Sequence, residues 1–383
     1  MQNYRGTSVN KNRDAWVEIN LSNLENNVLE IKNYLKNNTK KMPDLFAVIK
    51  ADAYGHGSCM CAPTLIACGV SEFGVASIDE GIELRENKID KPILVLGASP
   101  LWAFENAIKY DIAISIFNEE HLDVASQLYK RLNKKLKAHI KIDTGMNRIG
   151  LDADCSKEYI EKLLKADYID LKGIFTHFAD VENINIFNSQ IEKFKKTIEP
   201  FLDEFKKRNI KIHCLNSPAI FKYSKYSYDM VRMGIIMWGL SPFSYKENDV
   251  QSMHAVMGLK ARITNIHTLK KGEGISYGHT YIAQKDTKVA TIPIGYADGV
   301  DRRLSGKITA FLKGKYIKQI GRITMDQMMF DISDVDCSIG DIIVLLGEEN
   351  KTDTIDSWAK ELGTINYELT CRLKMRLPRI YVR

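Results

Sequence analysis

The stretch FAVIKADAYGHG, residues 46–57, is a short apolar run that stops at Lys50 and breaks into Asp52, Tyr54, Gly55, His56 and Gly57. By residue type alone a strand-end lysine is usually a solvated group. Catalysis by its amine needs other reactive side chains brought to the same place. The chain offers them after further apolar runs: Lys141 and Arg148 around the end of AHIKI (138–142), His177 after KGIFT (172–176), His213 to Ser217 at the end of KIHCL (211–215), and Arg232 within DMVRM (229–233). Asn216, Ser217 and Pro218 follow one run, and Gly234 and Ile235 the next. A hydroxyl beside open backbone N–H groups suits an anionic phosphate. On its own, NSP is ordinary loop sequence. A phosphate cradle with a strand-end lysine meets the needs of pyridoxal phosphate, which takes a phosphate anchor and an amine for its aldehyde. A lysine aldolase acting on a sugar phosphate needs the same parts, and these residues leave both readings open.

Such groups converge only if a frame collects the strand ends. Eight apolar runs, LFAVI (45–49), FGVA (73–76), ILVL (93–96), IAISI (112–116) and the four above, have few internal charges, as expected of strands buried on both faces. Between them lie helical patterns such as EEHLDVASQLYKRLN and SQIEKFKKTIEPFLDEFKKRN, with apolar residues at spacings of three and four. Eight β/α units predict an α/β fold beginning with a (β/α)8 TIM-like barrel, whose active site lies at the C-terminal ends of the strands. Beyond Gly239 the pattern changes to LKARITNIHTL, TKVATIPIGYADG, KITAFLKGKYIKQIG, QMMFDISD and DIIVLLGE, a mostly β domain with one helix, TIDSWAKEL, and a final strand in LPRIYVR. The expected division is residues 1–240 for the barrel and 241–383 for the β domain. AWVEIN (15–20) precedes the barrel strands and is expected to pair with the C-terminal domain. Ser22 with Glu25 predicts a capping box for the first helix, which carries Leu24, Val28, Ile31 and Leu35 on one face.

Composition narrows the function classes. The 383 residues are 45% hydrophobic and 27% charged, the profile of a soluble globular chain. A net charge of +6 is spread along the sequence, and KNNTKK (36–41) reads as a solvated helix end. No RNA-recognition motif or finger spacing accompanies it, so no nucleic-acid partner is expected. The seven cysteines include no CxxC pair or paired metal spacing, so buried free thiols and no metal site are expected. The N-terminus has no apolar leader and no run reaches eighteen apolar residues, which predicts a cytoplasmic protein without a membrane partner.

FAVIKADAYGHG closely resembles the cofactor-lysine signature of the alanine racemases, pyridoxal 5'-phosphate enzymes with an N-terminal barrel and a C-terminal β domain. KIDTGMNRIG (141–150), FTHFA (175–179), HCLNS (213–217), RMGIIMWG (232–239), ISYGHTY (275–281), PIGYADG (293–299), GRITMDQ (321–327) and NYELTCRL (366–373) are similar to that family's later blocks, in its order. The resemblance implies that Lys50 holds the cofactor and that Tyr54, Ser217, Gly234, Ile235 and Tyr367 hold its phosphate. It implies Lys50 and Tyr277 as the two acid/base groups, although a free tyrosine with pKa near 10 is a poor base unless neighbours favour the phenolate. By the same resemblance His177 tunes Tyr277 and Arg232, Arg232 faces the pyridine nitrogen, and His213 orients Arg232. Arg148 contacts the cofactor's phenolic oxygen and the substrate carboxylate, and Lys141, carbamylated in some members, positions Arg148. Met325 contributes a backbone donor and Asp326 a tyrosine partner. Tyr277 and Met325 come from the second subunit in that family, which implies a homodimer. Tyr296, Arg302 and Arg322 resemble its access-corridor residues.

Trp238 stands where the family commonly has tyrosine, and Pro218 where it has a small residue. The implied reaction is interconversion of L- and D-alanine, supplying D-alanine for cell-wall peptidoglycan. Racemisation of serine or a broader set is the alternative, since a methyl and a hydroxymethyl differ little in pocket energy. A barrel-type amino-acid decarboxylase would favour an acidic partner for the ring nitrogen, and Arg232 argues against it. The long β domain argues against a simple cofactor carrier.

Overall fold

The computed structural model describes residues 12–243, 253–347 and 353–383. The polar N-terminal stretch therefore lies mostly outside the described residues. All eight apolar runs form parallel strands: β2 (Asp44–Val48), β3 (Val70–Val75), β4 (Ile93–Val95), β5 (Ala113–Ile116), β6 (Leu136–Asp143), β7 (Ile169–Phe175), β8 (Lys211–His213) and β9 (Met230–Met233). Each pairs with the next and β9 pairs with β2, so the ring closes into an eight-stranded barrel. Closure leaves no barrel strand with an open edge. A mostly β region follows. It forms a nine-stranded sheet with β1 (Ala15–Asn20) inserted between Met257–Arg262, antiparallel, and Arg379–Val382, parallel.

The first helix, Leu21–Asn38, buries Leu24, Val28, Ile31 and Leu35 as its spacing predicts, together with Asn27. Its cap differs from expectation. Asn20 Oδ1 accepts the N–H of Asn23, which places Ser22 inside the first turn; β1 runs directly into the helix and leaves the cap to its last residue. Asn27 ties this helix to the segment between the two regions. Its Nδ2 donates to the carbonyls of Met237 (3.0 Å) and His254 (2.8 Å), and its Oδ1 accepts the N–H of His254 (2.8 Å).

Two helical expectations change. The pattern at 189–209 is not one helix: Ile184–Ile198 gives way at Pro200 to a 3-10 turn and then to Leu202–Lys207, because proline removes a backbone donor. A second helix, Asn366–Arg372, joins Ile355–Leu362 in the C-terminal region and carries Tyr367. No described helix is long and apolar enough to cross a membrane.

Candidate active site

Strand β2 ends at Val48, and Lys50 opens a turn in which Ala51, Asp52, Ala53 and Tyr54 all have φ between 51° and 56°. Each L-residue in this left-handed conformation costs about 1–2 kcal/mol, so the turn persists only where its surroundings hold it. Glu80 does so on one side: its Oε1 accepts the N–H of Ala51 (2.9 Å) and its Oε2 that of Ala76 (2.7 Å). Asp52 Oδ1 accepts the N–H of Ser58 at 2.7 Å. His56, fully buried, faces the carbonyls of Ala53 (2.9 Å) and Tyr54 (3.1 Å) with Nδ1, so that nitrogen carries the proton. Burial holds this imidazole near pKa 3, hence neutral. Its ring stacks on Trp238 at 4.3 Å, which gives the departure at 238 a packing role.

The turn and the loops after β6 to β9 enclose a cavity of about 190 Å³, lined by Lys50, Tyr54, Lys141, Arg148, His177, Ser217, Arg232, Gly234, Ile235 and Tyr367 with the apolar walls Val48, Leu96 and Phe175. The ten residues thus converge from the ends of β2, β6, β7, β8 and β9 and, for Tyr367, from the helix Asn366–Arg372. At one end Ser217 Oγ accepts the N–H of Gly234 (2.9 Å), and a Cβ on Gly234 would lie 3.0 Å from Tyr54 Oη. Glycine keeps that space open. Burial pushes the Tyr54 and Tyr367 phenols well above their ordinary pKa, so both stay protonated donors, and neither hydroxyl has a protein partner among the described residues. Uncommitted neutral donors around a gap fit an anionic phosphate. Pro218 occupies the first turn of the helix Ser217–Lys222, where a missing N–H costs nothing.

At the other end Arg232, buried, donates to the carbonyls of Thr176 (2.7 Å), Cys214 (3.0 Å) and His213 (3.1 Å), and to His213 Nδ1 (3.0 Å). Its Nη2 also lies 3.4 Å from His177 Nδ1. Burial lowers the guanidinium pKa to about 10, which leaves it charged at neutral pH. Burial first, then Arg232, pushes His177 and His213 well below the ordinary histidine value, so both are neutral. Lys50 is lowered by burial and then by Arg148, which favours a free amine. Lys141, also buried, is lowered to about 7 by burial, opposed by Asp143 and assisted by Arg232 and Arg148. Its Nζ donates to the carbonyl of Ile142 at 2.8 Å.

Arg148 is placed by Asp143, whose Oδ1 accepts the N–H groups of Gly145 (2.9 Å), Met146 (3.0 Å) and Asn147 (3.1 Å). Sequence reasoning missed Asp143, although Asp before Thr-Gly is a turn signal. It also missed Glu80, which no local pattern marks. Tyr277, Met325 and Asp326 are not brought to this cavity. Tyr277 is 70% and Met325 54% exposed, and Asp326 accepts a hydrogen bond from Arg376 at 2.6 Å. Their loops adjoin: Ser276 Oγ donates to the carbonyl of Arg322 (2.7 Å), and the N–H of Ala297, next to Tyr296, donates to that of Met325 (3.0 Å).

Residues 19–242 match the family model described as "Alanine racemase, N-terminal domain", and residues 256–381 match "Alanine racemase, C-terminal domain". The chain is 38% identical over 379 residues to alanine racemase 1 of Clostridium acetobutylicum, covering 97% of this chain and 96% of that protein. Among solved structures, alanine racemase of Clostridium difficile 630 superposes with a TM-score of 0.87 at 39% identity, covering 97% of each chain. A complex of that racemase with cycloserine gives a TM-score of 0.86 at 37% identity, covering 97% of this chain and 96% of that one.

Proposed function

The chain belongs to the alanine racemase family, and we propose that it is an isomerase interconverting L- and D-alanine with pyridoxal phosphate, in a homodimer whose two active sites are shared. The observation that carries this reading is one cavity holding a lysine of lowered pKa, a cradle of uncommitted hydroxyls and a buried arginine. On this reading residues 1–240, together with Tyr367 of the C-terminal region, hold the cofactor, and the rest of 241–383 completes the partner's site. Tyr54, Ser217 and Tyr367, with the backbone of Gly234 and Ile235, would hold the phosphate. Lys50 would hold the aldehyde carbon, Arg232 the pyridine nitrogen, and Arg148 the phenolic oxygen and the substrate carboxylate. When bound, the cofactor supplies an electron-withdrawing ring that acidifies the substrate Cα–H.

Arg232 would donate a hydrogen bond to the ring nitrogen without releasing its proton, and so would leave that nitrogen unprotonated. The Lys50 amine, favoured by burial, takes or returns the Cα proton on one face. Tyr277 of the partner subunit serves the other face. Its exposure in a single chain, beside Met325 and Tyr296, supports a surface that a second copy covers. His177 is neutral with Nδ1 facing an arginine donor, so its proton sits on Nε2, from which it can stabilise the phenolate of that tyrosine. Lys141, with its pKa near 7, has the neutral amine that reaction with carbon dioxide requires, which supports a carbamate beside Arg148.

The test is a panel of L-amino acids given to the purified protein with and without added pyridoxal phosphate, read by polarimetry and by D-amino-acid detection. Alanine is expected to turn over fastest and only with cofactor present, and cycloserine is expected to inhibit. Equal turnover of alanine, serine and lysine would sink the alanine assignment.

A further inference from the structure

Barrel interiors are normally filled by branched apolar side chains. Here four polar side chains from different strands run through the interior. Glu72 of β3 lies 3.5 Å from His139 Nε2 of β6, His139 Nδ1 lies 3.0 Å from His213 Nε2 of β8, and His213 Nδ1 lies 3.0 Å from Arg232 Nη1 of β9. Both imidazoles are buried, and Gly173 of β7 makes the space: a Cβ there would sit 2.5 Å from His139 Nδ1. Phe175 stacks on His213 at 4.9 Å and 8°, and Phe46 at 5.7 Å and 25°. Two phenyl faces fix that ring's plane, so its remaining freedom is the position of its proton.

The proton positions follow from one end. A guanidinium only donates, so His213 Nδ1 must accept and its Nε2 must carry the proton. That proton can go only to His139 Nδ1, which places the His139 proton on Nε2, facing Glu72. Burial, with Lys172 and Arg232 nearby, holds His139 near pKa 3, so neither ring carries a second proton. We infer that Glu72 and His139 are positioning residues for Arg232: Arg232 sets one tautomer through both imidazoles, and the Glu72 carboxyl, 3.5 Å from His139 Nε2, supplies the acceptor on the far side that holds His139 in it, which helps keep His213 Nδ1 open as an acceptor that aims the guanidinium at the cavity. If His139 carried its proton on Nδ1 instead, two N–H groups would face each other at 3.0 Å and His213 would be driven to present a donor to Arg232.

The consequence for racemisation rests on the function proposed above, whereas the tautomers do not. The experiment is 15N-histidine NMR of the cofactor-loaded protein, wild type and the Glu72→Leu, Glu72→Gln and His139→Gln variants, the last to assign the signals, alongside steady-state kinetics. Expected in the wild type are two neutral imidazoles protonated at Nε2 with strongly downfield hydrogen-bonded protons. Glu72→Leu is expected to give mixed tautomers at His139 and a fall in kcat of roughly ten-fold with little change in KM, the low end for loss of an outer partner. Glu72→Gln, whose amide oxygen still accepts, is expected to restore both. An Nδ1 proton or a positive charge on either wild-type histidine would overturn the assignment even if Glu72→Leu does not fold. Unchanged tautomers and kcat in a folded Glu72→Leu would overturn it equally. A protein inactive on alanine that still shows the Nε2 pattern would refute the racemase reading and leave the relay standing.

Discussion

The hydroxyls of Tyr54 and Tyr367 are held protonated by burial and reach no protein partner among the described residues, so what they bind decides their worth. A hydrogen bond to a charged group contributes about 1.5–3 kcal/mol. Tyr54→Phe is therefore expected to weaken pyridoxal phosphate binding by at least about ten-fold while leaving the fold intact, read by titrating the apoprotein at the cofactor's absorbance band. An unchanged affinity would remove Tyr54 from the cradle. Glu72 gives a prediction of opposite kind. Burial, and then Asp44, raise its pKa from 4.5 to about 7, with Lys211 opposing. Between those values the folded chain keeps a proton that the unfolded chain releases, so this group lowers stability as pH rises toward 7. Replacing it by glutamine is expected to stabilise the protein at pH 8 by at most about 3 kcal/mol and to change nothing at pH 4, measured by denaturant unfolding at both values.

At the scale of elements, the left-handed turn after β2 is the part most sensitive to backbone changes. Gly55 has φ +82°, and a Cβ there would lie 2.5 Å from the carbonyl oxygen of Thr370, in the helix that carries Tyr367. Gly55→Ala is expected to cost about 1–3 kcal/mol and to weaken cofactor binding with it, because Tyr54 and Tyr367 would be displaced together. A thermal scan and the same titration read the two effects, and loss of stability with unaltered affinity would separate the turn from the cradle. These cases also mark what the sequence made legible. The eight strands could be read because each is a short apolar run, and Lys50, His177 and Arg232 because they stand at or near strand ends. The left-handed turn could not, since Ala51 to Tyr54 have no glycine among them and their conformation depends on Glu80, distant in sequence, and on His56 acting through Nδ1. The Asn20 cap was hidden by a plausible Ser22–Glu25 pair, and the break at Pro200 by a strong helical period on either side of it.

For the whole molecule, the decisive matter is that one chain brings only part of the proposed machinery to the cavity. Lys50 lines it and Tyr277 does not; Tyr277 lies in the C-terminal region, largely exposed. A symmetric dimer that sets each chain's C-terminal region over its partner's barrel would bury the exposed loops and complete both sites at once. This can be tested by mixing subunits. Lys50→Ala homodimers and Tyr277→Phe homodimers are each expected to be nearly inactive. After mixing and reassociation, half of the dimers carry one chain of each kind. In such a dimer one site holds both lesions, and the other pairs an intact Lys50 with an intact Tyr277 from the partner chain. Activity should then recover to about a quarter of the wild-type value per site, by random pairing in a two-fold assembly. If Lys50 and Tyr277 of the same chain worked together, every site in the mixture would carry one lesion and no activity would return. The recovered fraction therefore distinguishes a shared site from a self-contained one, without requiring that either variant bind the cofactor normally.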